Sequence, residues 1–177
     1  MKKIIKYIIT IFLIFIIFSN SLFANKLNSN IIIKFSPENK IKKLILSIIR
    51  KAKSTIDIAA YNFTNKSIAK ELIYAKNRGI NIRILLNYNK NFFKNKIILF
   101  LLKNKILLKL NNKYSIMHNK FIIIDNKSIE TGSLNYTNNA LYNNAENIIY
   151  LYNNPKIAKK YFYQFNKLWN EGMKVFK

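Results

Sequence analysis

The chain has 177 residues, one histidine, no cysteine and a formal net charge of +24. That length fits one compact domain, and the lack of cysteine excludes a disulfide framework. A surplus of Lys and Arg this large attracts polyanions such as nucleic acid or anionic headgroups, unless it reflects only a chain-wide bias toward Lys, Asn, Ile, Phe and Tyr.

Residues 1–24 begin with Lys2, Lys3 and Lys6, run through an apolar stretch from Tyr7 to Phe18, and exit through Ser19, Ser21 and Ala24. This order is that of a secretory signal peptide. The apolar run is short of the roughly 20 residues needed to span a bilayer as a helix. Cleavage after Ala24 or Ser21 is expected, with an uncleaved membrane anchor as the other reading. Loss of the three lysines leaves +21. Residues 25–177 then form the working domain, exported or periplasmic.

Ile31 to Phe35 reads as a strand stopped by Ser36-Pro37, with Ser36 as cap and Asn39 onward as the body of a helix. Ile41, Leu44, Ile45, Ile48 and Ile49 recur at helical spacing. Ile56 to Tyr61 is a second strand. Lys66 to Arg78 is a helix with Ile68, Leu72 and Ala75 on one face and Gly79 as its stop. Ile80 to Leu86 is a third strand, Asn91 to Lys103 a helix, and Ile106 to Leu110 a strand. Phe121 to Asp125, a turn at Asn126-Lys127 and Ser128 to Gly132 read as a hairpin. Ile148 to Tyr152 is a last strand, and Pro155 to Asn170 a closing helix. Strands alternate with helices and then cluster, which predicts a single layered α-β-α domain of the α/β class with a mixed, mostly parallel sheet.

The acids are Glu38, Asp57, Glu71, Asp125, Glu130, Glu146 and Glu171, scattered along the chain. Metal sites usually need clustered His, Cys, Asp or Glu, so chemistry without metal or cofactor is expected. His118 and Lys120 lie two apart at the entry of an apolar strand, which puts them on one face. Gly132, Ser133 and Asn135 follow the next strand, and Glu146 with Asn147 precedes the last. Small and amide residues there can donate hydrogen bonds to oxyanions, or are ordinary loop polarity in a chain rich in asparagine.

His118-x-Lys120-x4-Asp125 followed by Gly132-Ser133-x-Asn135 resembles the HKD signature of the phospholipase D superfamily. Ile58-Ala59-Ala60-Tyr61-x-Phe63-Thr64 and Asn144-Ala145-Glu146-Asn147 resemble segments of its small, single-motif bacterial endonucleases. The resemblance spans Ile31 to Trp169. It implies a phospholipase D/nuclease-like fold and a covalent phosphohistidine mechanism, in which one histidine attacks phosphorus and a second protonates the leaving oxygen. It makes His118 and Lys120 catalytic, with Glu146 accepting a hydrogen bond from the His118 ring. Lys120, Ser133 and Asn135 would bind the phosphate. Gly132 belongs to the structural part of the motif, as does Asp125, five residues beyond Lys120 and so on the opposite strand face. One histidine per chain then implies a homodimer with a single shared site. Where relatives commonly carry aspartate after the third strand, this chain has Asn87.

Three functions follow as expectations. The first is a metal-independent, nonspecific endonuclease. The second is a phospholipase D hydrolysing phosphatidylcholine-like lipids, with the same site chemistry. The third is a non-catalytic nucleic-acid or membrane-binding protein.

Overall fold

Apolar β-branched runs become the strands, and the runs with apolar residues three and four apart become the helices. The computed structural model describes residue 7 and residues 30–175. The chain divides into residues 1–31 and a unit from residue 32 onward, which carries the fold. The expected signal segment lies outside the described residues apart from Tyr7. Among the described residues no helix is long and apolar enough to cross a membrane.

The elements in chain order are β1 (Ile31–Phe35), α1 (Asn39–Lys51), β2 (Thr55–Ala60), α2 (Lys66–Asn77), β3 (Asn81–Asn87), a 3-10 turn (Phe92–Lys94), α3 (Lys96–Lys103), β4 (Leu107–Asn111), β5 (Lys120–Ile124), β6 (Ser128–Gly132), α4 (Asn138–Tyr142), β7 (Asn147–Leu151), α5 (Pro155–Glu171) and β8 (Met173–Lys174). The strands form one sheet in the order β1-β7-β6-β5-β2-β3-β4-β8. Residues of α1, α2, α3 and α4 pack with Ile56, Ile58, Ile122 and Ile124 into the larger core. On the other face, Phe165 and Leu168 of α5 pack with Ala59, Leu85, Phe121, Ile123 and Ile129. These are the expected α-β-α layers. Each buried Ile or Leu contributes roughly 1.5–3 kcal/mol of transfer free energy, so the two cores can hold the domain without disulfides.

The sheet is mixed, but its parallel part is smaller than expected. Among the pairs of described register, β2–β3 and β3–β4 are parallel, while β2–β5, β5–β6, β6–β7 and β4–β8 are antiparallel. A parallel pair needs a crossover of about a dozen residues or more, and the three residues between β5 and β6 are too few for one. Asp125 and Asn126, both at positive φ (53° and 54°), make the tight turn between β5 and β6.

Two further expectations change. Ser36 does not cap α1: Glu38 stands at that position without a side-chain cap. Instead Ser36 Oγ donates to the Asn144 carbonyl at 2.8 Å and accepts from the Glu146 amide at 3.0 Å. The helix expected over Asn91 to Lys103 is split at Asn95, whose side chain accepts from the Ile97 and Ile98 amides and so caps α3. The α4 turn and β8 were not visible as periodic patterns.

Candidate functional site

The topology brings one set of strand ends together. The C-terminal ends of the parallel strands β2, β3 and β4 lie at one edge of the sheet. Antiparallel β5 starts there, because Lys120 pairs with Ala60. Antiparallel β6 ends there and β7 starts there, because Gly132 pairs with Ile148. His118, Lys120, Ser133, Asn135 and Glu146 therefore share this edge although they span 29 residues of sequence.

Lys120 is 8% exposed. Its Nζ donates to the His118 carbonyl at 2.8 Å and lies 5.4 Å from the centre of the Tyr61 ring. Burial pulls its pKa below the ordinary lysine value, against an opposing pull from the charge of Glu146. The His118 ring meets the Tyr61 ring edge-to-face, with centroids 4.7 Å apart and planes at 62°. Asn87 ends β3 and accepts from the Met117 amide at 2.8 Å, which pins the backbone one residue before His118.

Glu146 is held from two sides. Ser133 Oγ donates to its Oε2 at 2.5 Å and Asn144 Nδ2 to its Oε1 at 2.9 Å. Ser133 Oγ also accepts from the Asn147 amide at 3.1 Å. In this arrangement the Ser133 hydroxyl proton serves the carboxylate rather than the open site. Asn135 Oδ1 is buried and, among the described residues, has no partner, so it is left open to a donor.

The loop carrying Ser133 and Asn135 is stitched to the exit of β2. The Tyr136 amide donates to the Asn62 carbonyl, and the Tyr136 carbonyl accepts from the Thr64 and Asn65 amides. Gly132 is required at the entry to this loop, because a Cβ there would collide with the Asn147 backbone carbonyl. Asp125 stands in the turn just beyond the far end of β5 at positive φ, so the strand parity expected for it does not apply; its contacts there are structural. Its carboxylate accepts from the amides of Lys53, Ser54 and Thr55. Burial by itself would raise its pKa, but these amide bonds outweigh burial and hold it below the ordinary value.

Sequence reasoning missed several residues. Tyr61 was part of a motif without a role, Asn87 was only a departure from a pattern, and Ser36 was read as a cap. Glu130 gave no signal at all. It is 1% exposed and accepts from the Tyr136 hydroxyl at 2.8 Å, directly beneath the Ser133–Asn135 loop. Burial raises its pKa to about 8, with the Tyr136 bond pulling the other way. The folded protein therefore retains a proton that the unfolded chain releases near pH 4.5. Stability from this group is full below about pH 4.5 and is lost as pH rises toward 8, at about 1 kcal/mol per unit. Glu130→Gln keeps an acceptor for Tyr136 and removes the titration. Its urea midpoint should match the parent at pH 4 and exceed it at pH 9; parallel midpoints across that range would show that Glu130 titrates normally.

Among the described residues, no group of three or more His, Cys, Asp or Glu side chains could hold a metal ion. Residues 45–169 match the family model described as "Cardiolipin synthase, PLD-like domain". The "Phospholipase D" of Rickettsia prowazekii (strain Madrid E) is 38% identical over 75% of this chain and 64% of its own length. That of Rickettsia conorii (strain ATCC VR-613 / Malish 7) is 36% identical over 72% of this chain and 63% of its own. The chain thus spans somewhat less than two thirds of the length of these curated relatives. Among solved structures, the phospholipase D family member Nuc from Salmonella typhimurium superposes with a TM-score of 0.77 at 32% identity, covering 83% of this chain and 98% of that one. NucT from Helicobacter pylori does so at 0.71 and 26% identity, covering 82% and 98%. With the layered fold and the edge that gathers His118, Lys120, Ser133 and Glu146 already in place, these matches show that the chain belongs to the PLD-like domain family of the phospholipase D superfamily.

Proposed function

We propose that the protein is an exported phosphodiester hydrolase that acts through a phosphohistidine on His118 and takes nucleic acid as substrate. The observation that carries the reading is the single sheet edge on which the imidazole, the buried Lys120 ammonium and the anchored Glu146 carboxylate stand together.

A neutral His118 ring attacks phosphorus, and an N–P bond forms as the P–O bond to the leaving group breaks. The leaving oxygen takes a proton from the His118 ring of a second copy. That ring, now neutral, removes a proton from water; the resulting hydroxide attacks phosphorus, and the N–P bond breaks. Imidazole suits both tasks because it titrates near neutrality, and covalent catalysis divides one hard displacement into two easier ones. Lys120 supplies fixed positive charge to the nonbridging oxygens. In this single chain the Glu146 carboxylate accepts from Ser133 and Asn144 and the expected bond from the His118 ring is not made; Glu146 fixes an imidazole tautomer only in the working dimer. The reaction needs two histidines and each chain has one, so the working form is a homodimer with one shared site. Ser133 contributes to phosphate binding once substrate displaces its bond to Glu146, and Asn135 contributes through its side-chain N–H groups.

Nucleic acid is favoured by the large positive charge, +24 for the chain and +21 without residues 1–24, and by the 98% coverage of the Nuc chain. A specific observation supports a second reading, phospholipase D activity: the Rickettsia relatives at 36–38% identity carry that name. The test is incubation of the purified protein with plasmid DNA, RNA and phosphatidylcholine vesicles in excess EDTA. Nicking or RNA degradation that withstands EDTA and weakens steeply with added salt is the expected result. Headgroup release with intact nucleic acid would move the assignment to phospholipase D. Binding without turnover of any substrate would leave a non-catalytic binding protein.

A further inference from the structure

Tyr61 stands between the two side chains on which the proposed chemistry depends. It leaves β2 at the catalytic edge, half-buried. One ring makes two contacts: edge-to-face with the His118 imidazole at 4.7 Å, and under the Lys120 ammonium at 5.4 Å. His118 itself hangs on a short lead into β5, since the segment between β4 and β5 has no regular structure around it. Its backbone is fixed by Asn87 through Met117 and by Lys120 through its own carbonyl. Those bonds fix where the residue starts, not where the ring points. The imidazole itself meets the Tyr61 ring.

We infer that Tyr61 is a positioning residue, whose ring sets the orientation of the His118 imidazole and holds the Lys120 ammonium beside it. The inference rests on His118 and Lys120 being the reacting pair. An aromatic ring suits both neighbours at once. Aromatic pairs prefer tilted, edge-to-face geometry, worth about 0.5–1.5 kcal/mol beyond burial. The negative face of a phenol attracts an ammonium within about 6 Å of its centre. That attraction opposes the burial that works against the charged form of Lys120. An attacking nitrogen must meet phosphorus in line, and small misplacements of a reacting group cost orders of magnitude in rate. A ring that locks the imidazole therefore acts on the chemical step more than on substrate binding. The phenol hydroxyl is not part of this account, so phenylalanine should serve.

The experiment compares the full-length protein with Tyr61→Phe and Tyr61→Leu, using bis(4-nitrophenyl) phosphate as a substrate-neutral diester. Tyr61→Phe should keep kcat within about threefold. Tyr61→Leu should lose about 30- to 100-fold in kcat with KM changed by less than threefold, as expected when only a transition-state arrangement is lost. The single histidine gives an independent reading, because its imidazole protons form one set of NMR resonances. In the parent and in Tyr61→Phe these should be displaced by the neighbouring ring current, and in Tyr61→Leu they should move toward the position of a free imidazole. This measurement remains decisive if the leucine variant is less stable, because it can be taken below the unfolding transition. The inference is overturned if Tyr61→Leu retains full kcat, if Tyr61→Phe falls as far as Tyr61→Leu, or if the imidazole resonances are the same in all three proteins. If the parent leaves the diester intact, the phosphodiesterase reading fails by itself, and the resonances still decide the contact.

Discussion

His118→Ala should reduce phosphodiester hydrolysis by at least about 10⁴-fold, with folding unchanged. Under the proposed mechanism the substitution removes a covalent nucleophile that also acts as the proton donor to a second copy; loss of one member of such a unit costs nearly as much as loss of all of it. Folding should survive because the ring makes its contact with Tyr61 at the sheet edge and is not part of either core. The proposed shared site makes the variant more than a loss of function. Refolding the parent with a tenfold excess of His118→Ala should place most parent chains in mixed dimers with one histidine, and activity per parent chain should collapse. If activity per parent chain is unchanged in the mixture, each chain works alone and the two-histidine mechanism is wrong. A measured monomer with full activity would have the same consequence.

Asp57→Ala is the substitution expected to cost the most stability. Asp57 on β2 and Arg83 on β3 are direct register partners and face the α5 side of the sheet. The guanidinium makes two 2.7 Å bonds to the carboxylate. A third bond goes to Asn166 at 3.0 Å, and the ring centres of Phe165 and Trp169 lie 4.8 and 5.5 Å away. Removing the acid leaves a largely buried cation without its counter-charge, a change that costs about 3–5 kcal/mol. The Arg83 side chain keeps 26% of its exposure and the Asp57 side chain only 3%, so partial access of water to the cation places the expected loss near the lower value. A urea titration of the parent and the variant measures it, with the slope of the transition unchanged. The double variant Asp57→Leu, Arg83→Met should recover much of the loss, because a matched apolar pair carries no desolvation penalty. A loss under about 1 kcal/mol in Asp57→Ala would show that the pair is not a significant support for the sheet.

Neither partner of that pair was recognised from the sequence, although both lie in runs read as strands. An acid inside Thr55-Ile56-Asp57-Ile58 looks like the polar face of a half-exposed strand. It is buried because α5, a hundred residues later in the chain, lies across that face. The same limit applies to Ser36, Asn87 and Glu130. Each was legible as a residue type at an element end or in a strand, and each derives its role from a partner far along the chain. Ser36 meets Asn144 and Glu146 across more than a hundred residues, and no local pattern encodes that distance.

What the amino-acid sequence determined by itself was local and periodic. Apolar runs bounded by turn residues located β1 and β6, and helical spacing located the bodies of α1, α2 and α5, each to within a residue or two, because burial on one helix face repeats every 3.6 residues. The strand-parity expectation for His118, Lys120 and Asp125 did not apply as stated, because β5 covers only Lys120–Ile124: His118 lies on the irregular lead before it, and Asp125 lies in the turn after it at positive φ. The tertiary structure decided which strands are neighbours, and so which ends share an edge. The order β1-β7-β6-β5-β2-β3-β4-β8 is not the chain order, and the antiparallel return of β5 beside β2 is what carries His118 to Tyr61. Pairing of this kind depends on the sum of many nonlocal contacts set against the entropy of closing the loops between them. That balance is a property of the whole packed domain, and for this reason periodicity and spacing made the residues legible one by one, while their grouping into one site came from the family resemblance and not from any local pattern.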